Sequence, residues 1–381
     1  MATMTRVLPV TQTLKKEDKS YVTLLNEQIM LLLRNALPLT LKDLSLAAFI
    51  VTTMLRQRKA AELRASWEKR GVHVPAFMIA SITHKCNLRC RGCYAWAQSL
   101  QGDEKQITIE LQAEMSAEKL RGMVKEAKEL GISIILLAGG EPLTRPEILD
   151  ITWEFPEILF PLFTNGTLID TSMINRFKQQ RNIIPVLSLE GRRAETDARR
   201  GKGTYFHVVK AMNLMKREGI FFGTSITLTR QNFMAATDEF FVKSLIHGGC
   251  RLFFFIDYVP VETGTEEMCL TPGQHSVEAW TVKKFKEELP ALFIAFPGDE
   301  EMYGGCLAAG RGFVHVNPEG WVEPCPASPY SDSNLREFSL KEALQSPLLT
   351  AIRKSGIDLS ETQSGCALWN KQEWVKSLIM S

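Results

Sequence analysis

Three cysteines lie within eight residues of this 381-residue chain, at Cys86, Cys90 and Cys93. They have the spacing C-x3-C-x2-C, and the next cysteine along the chain is Cys250. A closed zinc site or a fully ligated iron–sulfur cluster takes four such ligands, so three predict a metal centre with one open coordination position. Zinc ribbons use two separated C-x2-C pairs, which makes zinc a poor alternative. Buried structural thiols are the other alternative.

Composition excludes several classes of protein. The chain is 45% hydrophobic, enough for a large core, and its net charge of +2 provides no overall field for nucleic acid. We therefore expect no nucleic-acid partner. Eight cysteines without a recognisable signal peptide predict reduced thiols and metal ligands in the cytoplasm, not a disulfide framework.

From Phe77 onward, apolar strand-like runs alternate with amphipathic helical runs. The predicted strands are 77–82, 133–137, 159–163, 184–189, 223–228 and 252–258. The predicted helices are 117–130, 146–155, 172–180, 206–218 and 235–246. Six βα units predict a parallel sheet that curves into a partial barrel. The active site of such a sheet lies at the C-terminal ends of its strands.

The first 75 residues carry twelve Lys/Arg and six Asp/Glu, and they show helical periodicity interrupted at Leu37-Pro38. Residues 44–55 contain no charge, but a bilayer span needs about 20 apolar residues. We expect this helix to pack on the protein. The alternative is a peripheral membrane contact through residues 40–70, because the basic run at the end of this segment suits anionic headgroups.

Further motifs follow three of the predicted strands. Gly139-Gly140-Glu141-Pro142 comes after the second strand and is either an ordinary turn or a ligand-binding segment. Thr-Asn-Gly-Thr at 164–167 follows the third strand and is equally typical of a tight turn or a pocket wall. The fourth strand ends in Ser-Leu-Glu-Gly at 188–191, and Thr-Asp-Ala-Arg-Arg-Gly-Lys-Gly-Thr-Tyr follows at 196–205.

Together with the three cysteines, these motifs closely resemble the radical S-adenosylmethionine (SAM) superfamily. The resemblance implies a [4Fe–4S] cluster on Cys86, Cys90 and Cys93 whose open iron binds SAM. One-electron reduction, by a donor such as flavodoxin or ferredoxin, then cleaves SAM to methionine and a 5′-deoxyadenosyl radical. That radical takes a hydrogen atom from the substrate. The implied fold is α/β, with a partial (β/α)6 radical SAM barrel.

The resemblance also assigns cofactor-binding residues, position by position. The segment that contains Glu141 would hold the amino group of SAM, and Ser188 would reach its ribose. Arg200 would bind the SAM carboxylate, which a guanidinium fork suits. The full set of predicted cofactor-binding residues is Gly139, Gly140, Glu141, Pro142, Asn165, Ser188, Glu190, Arg200 and Tyr94.

Three positions depart from the superfamily pattern. The residue before the third cysteine is often aromatic and lies against the adenine, but here it is Gly92. Tyr94 or Trp96 is expected either to replace it or to belong to the core. Glu190 stands where Asp is usual, and Thr196 stands where His is usual. These departures concern local hydrogen bonding around the cofactor. No catalytic acid, base or radical-quenching residue follows from the sequence.

The C-terminal part predicts a small module of its own. Residues 313–316 and 321–323 flank an Asn-Pro-Glu-Gly turn and predict a β-hairpin. The spacing Gly320-x4-Cys325, with Cys306 upstream, resembles the start of the SPASM/twitch modules found in many radical SAM enzymes. The later C-x2-C-x5-C-x3-C run of a full SPASM module is absent from the sequence.

This second resemblance implies one auxiliary [4Fe–4S] cluster on Cys306, Cys325 and Cys366. Its fourth ligand would be Cys269, a non-cysteine group or the substrate. Three ordinary buried thiols are the alternative, because free cysteines are often buried. Cys250 is expected in the hydrophobic core.

We therefore expect an N-terminal helical extension (1–75), a radical SAM core (76–265), a linker (266–303) and a small C-terminal α+β iron–sulfur module (304–381). A peptide is the favoured substrate, since many enzymes with this C-terminal module oxidise or cross-link ribosomal peptides. The first 75 residues nevertheless show no pattern typical of a winged-helix leader-binding domain.

Two other functions stay open. The first is modification of a lipid or isoprenoid intermediate at the membrane surface, which the charge-free helix and its basic flank favour. The second is a non-enzymatic iron–sulfur electron carrier or scaffold. The Gly-Gly-Glu segment and Arg200 argue against a carrier, because an electron carrier needs no SAM pocket.

Overall fold

The computed structural model describes residues 20–40, 43–98, 113–360 and 366–380. Residues 1–19 of the predicted N-terminal extension lie outside the described residues, as do residues 41–42 of the predicted membrane-contact segment. Residues 361–365 and 381 of the predicted C-terminal module also lie outside them.

A single curved sheet organises the described chain. Its strands are β1 Phe77–Ser81, β2 Ile134–Ala138, β3 Phe160–Thr164, β4 Ile183–Leu189, β5 Gly223–Leu228, β6 Leu252–Asp257, β7 Leu292–Phe296, β8 Phe313–Val316 and β9 Val322–Glu323. Their order across the sheet is β7-β6-β5-β4-β3-β2-β1-β8-β9. Strands β1 to β8 pair in parallel, and β9 is antiparallel to β8. All six predicted barrel strands are confirmed.

The helices cover the outer face and the base of this sheet. They are α1 Tyr21–Leu39, α2 Leu44–Glu68, α3 Tyr94–Ala97, α4 Ala117–Leu130, α5 Glu147–Trp153, α6 Thr171–Gln179, α7 Arg193–Arg200, α8 Thr204–Arg217, α9 Phe233–Ala236, α10 Glu239–His247, α11 Pro272–Glu288, α12 Leu340–Ala343, α13 Pro347–Lys354, α14 Ala367–Asn370 and α15 Gln372–Met380. Helix α4 shows why the predicted bounds hold: the Ser116 side chain accepts from the Lys119 amide, and Gly131 ends the helix at φ 93°.

The sheet corrects the predicted linker and confirms the predicted C-terminal hairpin. Residues 266–303, predicted as a linker, contain α11 and β7, and β7 extends the barrel beside β6. The predicted hairpin is present as β8 and β9, but it continues the barrel sheet through a parallel pairing of β8 with β1. The signal for β7 was weak because prolines at 290 and 297 bound its six-residue apolar run on both sides.

Side chains alternate between the two faces of the strands. Residues such as Met78 and Leu137 point outward and pack under the helices. Inward-facing residues line a cavity of about 590 Å³. Apolar side chains dominate the inner surface of the strands, and those that line the cavity include Ile79, Leu136, Phe163, Phe254, Ile256 and Ile294.

Helices α1 and α2 close the base of the barrel. Ala36 of α1 and Ile50 of α2 pack with Leu252 and Leu292, the first residues of β6 and β7. The helix over residues 44–55 therefore packs on the protein, as expected, although Leu44 on its outer side is 81% exposed. Within the described ranges, no helix has the length and apolar character needed to cross a membrane.

A buried arginine joins α2 to the end of α4. Arg64 is 3% exposed, and its guanidinium donates to the Gly131 carbonyl at 2.5 Å and to Asn26 Oδ1 at 2.5 Å. Burial lowers the pKa of this guanidinium to about 10. A planar group with several donors can satisfy a helix-end carbonyl and a neighbouring amide together.

We expect Arg64→Ala to lower the free energy of unfolding by about 3 kcal/mol, since buried acceptors lose their charged donor. Urea denaturation of the two proteins measures the difference. The matched control is Arg58→Ala on the same helix, whose side chain is 78% exposed and whose ion pair with Glu62 is at the surface. That change should stay within about 0.5 kcal/mol. Equal effects of the two substitutions would contradict the role given to Arg64.

Candidate active site

The loop that follows β1 carries the three clustered cysteines on one wall of the central cavity. Cys86, Cys90 and Cys93 all line that cavity. Burial raises the pKa of the Cys86 thiol to about 11, and the closeness of Cys90 and Cys93 adds to the shift. The Leu88 amide donates to Cys86 Sγ at 3.4 Å. Three neighbouring thiols on a cavity wall are a donor set that suits an iron–sulfur cluster with one open iron.

The two glycines after β2 pack against the backbone of this loop. The Gly140 amide donates to the Thr83 carbonyl at 2.6 Å, and a Cβ on Gly140 would lie 2.2 Å from the Lys85 carbonyl oxygen. Gly139 has φ 119°, which favours glycine. Both positions therefore require glycine, because two backbones approach each other closely here. The two glycines also form part of the cavity wall.

Glu141 joins the ends of β2 and β3. Its carboxylate is 1% exposed and accepts from Thr164 Oγ1 at 2.7 Å, the Asn165 amide at 2.7 Å and the Leu143 amide at 3.1 Å. Burial raises the pKa of this carboxyl group above its usual range. Glu141 and the adjacent Pro142, both predicted to bind the cofactor, lie behind the cavity wall and do not line the cavity.

Asn165 faces the cavity from the end of β3. Its Nδ2 donates to Asn87 Oδ1 at 2.8 Å and lies 3.9 Å from Cys86 Sγ, while its Oδ1 accepts from the Thr167 amide at 3.0 Å. The segment 164–167 is thus a turn and also part of the pocket wall, so the two interpretations of this motif are compatible.

Arg200 reaches the cavity beside Cys90, and Glu190 holds it there. Glu190 is 1% exposed and lies behind the cavity wall, where its Oε1 accepts from Arg199 Nη1 at 2.5 Å and Arg200 Nε at 2.7 Å. Arg200 Nη1 lies 4.0 Å from Cys90 Sγ. Ser188 also lines the cavity, 3.3 Å from Ser225 Oγ. The structure therefore places Glu190 as a residue that positions Arg200.

Sequence reasoning missed Tyr258, which occupies the space left by the small residue at position 92. A Cβ on Gly92 would lie 2.3 Å from the Tyr258 hydroxyl and 2.7 Å from its ring. Tyr258 lines the cavity, and its hydroxyl donates to Thr265 Oγ1 at 2.7 Å. Tyr94 lines the cavity too, whereas the ring of Trp96 stacks under Arg89, 4.3 Å from its guanidinium carbon. The only sequence signal for Tyr258 is its place after a strand.

The two arginines of the cysteine loop bind partners away from the cavity. Arg91 pairs with Glu267 at 2.5 Å, and Arg89 stacks on a tryptophan, so both are engaged on the outer side of the loop. Arg199 and Arg200 are the positive charges that act on the Cys90 thiol. Their partner, Glu190, sets their orientation.

The three C-terminal cysteines line the same cavity from the other side. Burial raises the pKa of Cys306 and Cys325 well above the usual range, and each thiol also feels the charge of Glu300 and the closeness of Cys366. Cys269 lies elsewhere, where Arg230 is the largest charge acting on it. The three predicted ligands therefore border one cavity, which Cys269 does not line. Cys250 is in the core, as expected.

Six of the nine predicted cofactor-binding residues meet at one cavity. Tyr94, Gly139, Gly140, Asn165, Ser188 and Arg200 line it, together with both sets of three cysteines. Glu141, Pro142 and Glu190 support it from behind. These residues offer a carboxylate-binding guanidinium, hydroxyl and amide groups, and two convergent sets of thiols around one space. This arrangement suits a SAM-binding cluster.

A family profile described as the radical SAM superfamily matches residues 80–235. Those residues therefore form a radical SAM domain, and the protein is an enzyme of that superfamily. Enzymes of this superfamily use a [4Fe–4S] cluster and SAM, and the residues around the cavity are compatible with both.

Relatives and a solved structure extend the comparison. The Fe-coproporphyrin III synthase of Methanosarcina barkeri is 30% identical over 158 residues, which are 41% of this chain and 37% of that protein. The mycofactocin maturase MftC of Mycobacterium tuberculosis is 28% identical over 276 residues, which cover 68% of this chain and 66% of the maturase. Streptococcus suis SuiB bound to its precursor peptide SuiA superposes with a TM-score of 0.60 at 18% identity, covering 84% and 75% of the two chains.

We expect Glu190→Gln to weaken SAM binding by about tenfold, because a neutral amide no longer holds the two arginines by charge. Equilibrium dialysis of SAM against the reconstituted protein measures this. Glu218→Gln, at a surface ion pair with Lys178, is the control and should bind SAM normally. Normal SAM affinity in Glu190→Gln would remove the positioning role of Glu190.

Gly92→Ala should displace Tyr258 or the cysteine loop, since the added methyl group overlaps the phenol ring and φ at this residue is 68°. We expect SAM affinity to fall by tenfold or more, as about 1.4 kcal/mol is one factor of ten. Gly122→Ala, at a helical position with no atom within 4 Å of the added Cβ, is the control. An unchanged affinity in both variants would show that Tyr258 does not help to shape the cofactor site.

Proposed function

We propose that this protein reductively cleaves SAM at a [4Fe–4S] cluster held by Cys86, Cys90 and Cys93. The resulting radical would then attack an apolar group of the substrate. The single observation that supports this proposal is one cavity that borders both cysteine sets, the predicted SAM residues and an apolar barrel interior. When bound, the cluster and SAM supply the electron and the 5′-deoxyadenosyl radical. A one-electron donor such as flavodoxin or ferredoxin would reduce the cluster.

Different residues of the chain would bind different parts of SAM. Arg200, oriented by Glu190, would bind the carboxylate, and Ser188 would bind the ribose. Tyr258 and Tyr94 would contact the adenine from the cavity wall. Glu141 would keep the ends of β2 and β3 together under the cofactor. Fixed geometry of this kind aligns the reacting carbon with one hydrogen atom of the substrate.

Cys306, Cys325 and Cys366 would hold an auxiliary cluster of the twitch type. Glu300 is the carboxylate whose charge acts on Cys306 and Cys325, and its side chain also borders the cavity. It is therefore the non-cysteine candidate for the fourth ligand, in preference to Cys269. An auxiliary cluster that borders the substrate cavity would suit removal of an electron from the substrate.

The cavity wall favours a substrate with an apolar reacting group. Ile79, Leu136, Phe254 and Ile294 come from different strands and turn apolar side chains inward. An uncompensated polar or charged group in such a space would lose hydration without new hydrogen bonds. The bond that is attacked is therefore expected to belong to an aliphatic or aromatic group.

A peptide precursor is the substrate class that we favour. MftC is a maturase, and the SuiB structure contains a precursor peptide. An apolar side chain of such a peptide would enter the cavity while its backbone stays outside. A lipid or isoprenoid intermediate is the second candidate, favoured by the apolar cavity that extends to α1 and by the exposed apolar side of α2.

Iron analysis after anaerobic reconstitution tests the two clusters. We expect about eight iron atoms per chain, four for each cluster. Replacing Cys86, Cys90 and Cys93 together by Ala should leave about four and abolish 5′-deoxyadenosine formation. Cys306→Ala should lower the iron content while 5′-deoxyadenosine is still formed without substrate. Retained SAM cleavage in the triple variant would refute the main proposal, and unchanged iron in Cys306→Ala would refute the auxiliary cluster.

Deuterium transfer into 5′-deoxyadenosine distinguishes the substrate classes. The reduced enzyme is incubated with SAM and either deuterated peptides encoded beside its gene or vesicles with perdeuterated lipid chains. Deuterium from the peptide supports maturation, and deuterium from the vesicles supports the second candidate. Sedimentation with the vesicles measures membrane contact separately. Absence of transfer from both probes would contradict both substrate classes.

A further inference from the structure

A histidine and two carboxylates meet at the corner between β6 and α11, and of these three residues Asp257 also borders the central cavity. Asp257 is the last residue of β6, His275 lies in the first turn of α11, and Glu278 follows one turn later. Their ligand atoms lie within 4.8 Å of one another. His275 Nδ1 is 3.0 Å from Asp257 Oδ2 and 3.9 Å from Glu278 Oε2.

This cluster is buried and carries excess negative charge. The side chains of Asp257 and Glu278 are each 6% exposed, and that of His275 is 21% exposed. Asp257 Oδ1 is buried and has no hydrogen-bond partner among the residues that the structure describes. Two carboxylates buried beside one imidazole concentrate negative charge at this corner of the fold. Such charge is costly to bury unless a cation compensates it.

We propose that Asp257, His275 and Glu278 bind a divalent first-row transition-metal ion. Imidazole nitrogen with carboxylate oxygen suits ions such as Mn²⁺, Fe²⁺ and Zn²⁺, whereas Ca²⁺ and Mg²⁺ prefer oxygen ligands alone. Ligand atoms about 2.1 Å from one ion stand roughly 3.0–3.4 Å apart, so small side-chain rotations bring the three groups to that spacing. Residues at positions i and i+3 of a helix share one face, which fixes two of the three ligands in advance.

The ion would fasten the segment that covers the cysteine loop. Asp257 borders the central cavity, and the chain after it supplies Tyr258 against Gly92. Glu262 Oε2, in the same segment, accepts from the Gly92 amide at 3.1 Å. Thr271 begins α11 with a capping box, so both ends of the segment 258–271 are anchored near the ion. The metal is therefore a clamp on the geometry of the cofactor site and is separate from both cysteine sets.

The alternative occupant is a proton. A protonated His275 between Asp257 and Glu278 would form two ion pairs and need no metal. Only the metal site would bind an added divalent ion in a fixed ratio to the protein. Ion binding therefore distinguishes the metal site from the protonated histidine.

Mn²⁺ binding to the reconstituted enzyme tests the proposal. Mn²⁺ is a hard ion that avoids thiolates, and the free ion gives an EPR signal that falls on binding. We expect one Mn²⁺ per chain, with binding weakened by about tenfold or more in His275→Ala and in Glu278→Gln. Glu288→Gln, on an exposed part of the same helix, is the matched control and should bind Mn²⁺ as the unchanged protein does.

Thermal unfolding gives the second measurement. Mn²⁺ should raise the melting temperature of the unchanged protein and of Glu288→Gln, and have no effect on His275→Ala, because a ligand stabilises only the form that binds it. Iron content and circular dichroism show that each variant has folded. No bound Mn²⁺ at about 1 mM total ion, or equal affinity in His275→Ala, would overturn the metal site and leave the protonated histidine. Neither result depends on SAM cleavage.

Discussion

The structure of the site depends on backbone contact between the end of β2 and the loop after β1. The Gly140 and Glu141 amides donate to the Thr83 and Lys85 carbonyls, at 2.6 and 2.8 Å. These bonds continue the parallel pairing of β1 with β2 beyond Ser81 and Ala138. A loop with three cysteines would otherwise lack a fixed position. Parallel strands end at one edge of the sheet, so the other predicted residues arrive around this loop.

Behind this edge of the sheet, a buried acidic side chain lies beneath two basic ones. Glu190 is fully covered and binds two arginines, and one of these arginines reaches the cavity beside Cys90. A buried carboxylate with two guanidinium partners leaves a positive balance, which favours an anionic group at the cavity surface. The side chain that meets the ligand is thus arginine, while the acidic residue determines where that arginine points.

The sequence predicted the parts of the fold that have strong local signals. The six barrel strands are long apolar runs between helices with clear caps, and the spacing of Cys86, Cys90 and Cys93 is itself a site. Strand β7 is as long as β1, β2 and β3, but it was missed because prolines at 290 and 297 flank its apolar run. Tyr258 was missed because it acts through a contact across the fold, with Gly92. Glu190 was given another role because its ion pairs with Arg199 and Arg200 depend on how the chain turns between β4 and α7. Such contacts have no local pattern.

The pairing of β8 with β1 was equally invisible in the sequence. A short hairpin near the end of the chain predicts two strands but not the neighbour that they join. In the structure it joins the first barrel strand and brings Cys325 to the same cavity as Cys90.

Both cysteine sets therefore border one cavity. A small oxidant that reaches one set can reach the other without crossing a wall of protein. Iron–sulfur clusters on these thiols would accordingly lose their integrity together on exposure to dioxygen, and a bound substrate that fills the apolar space would shield both at once. The barrel interior would then protect both clusters from dioxygen and also hold the reacting groups.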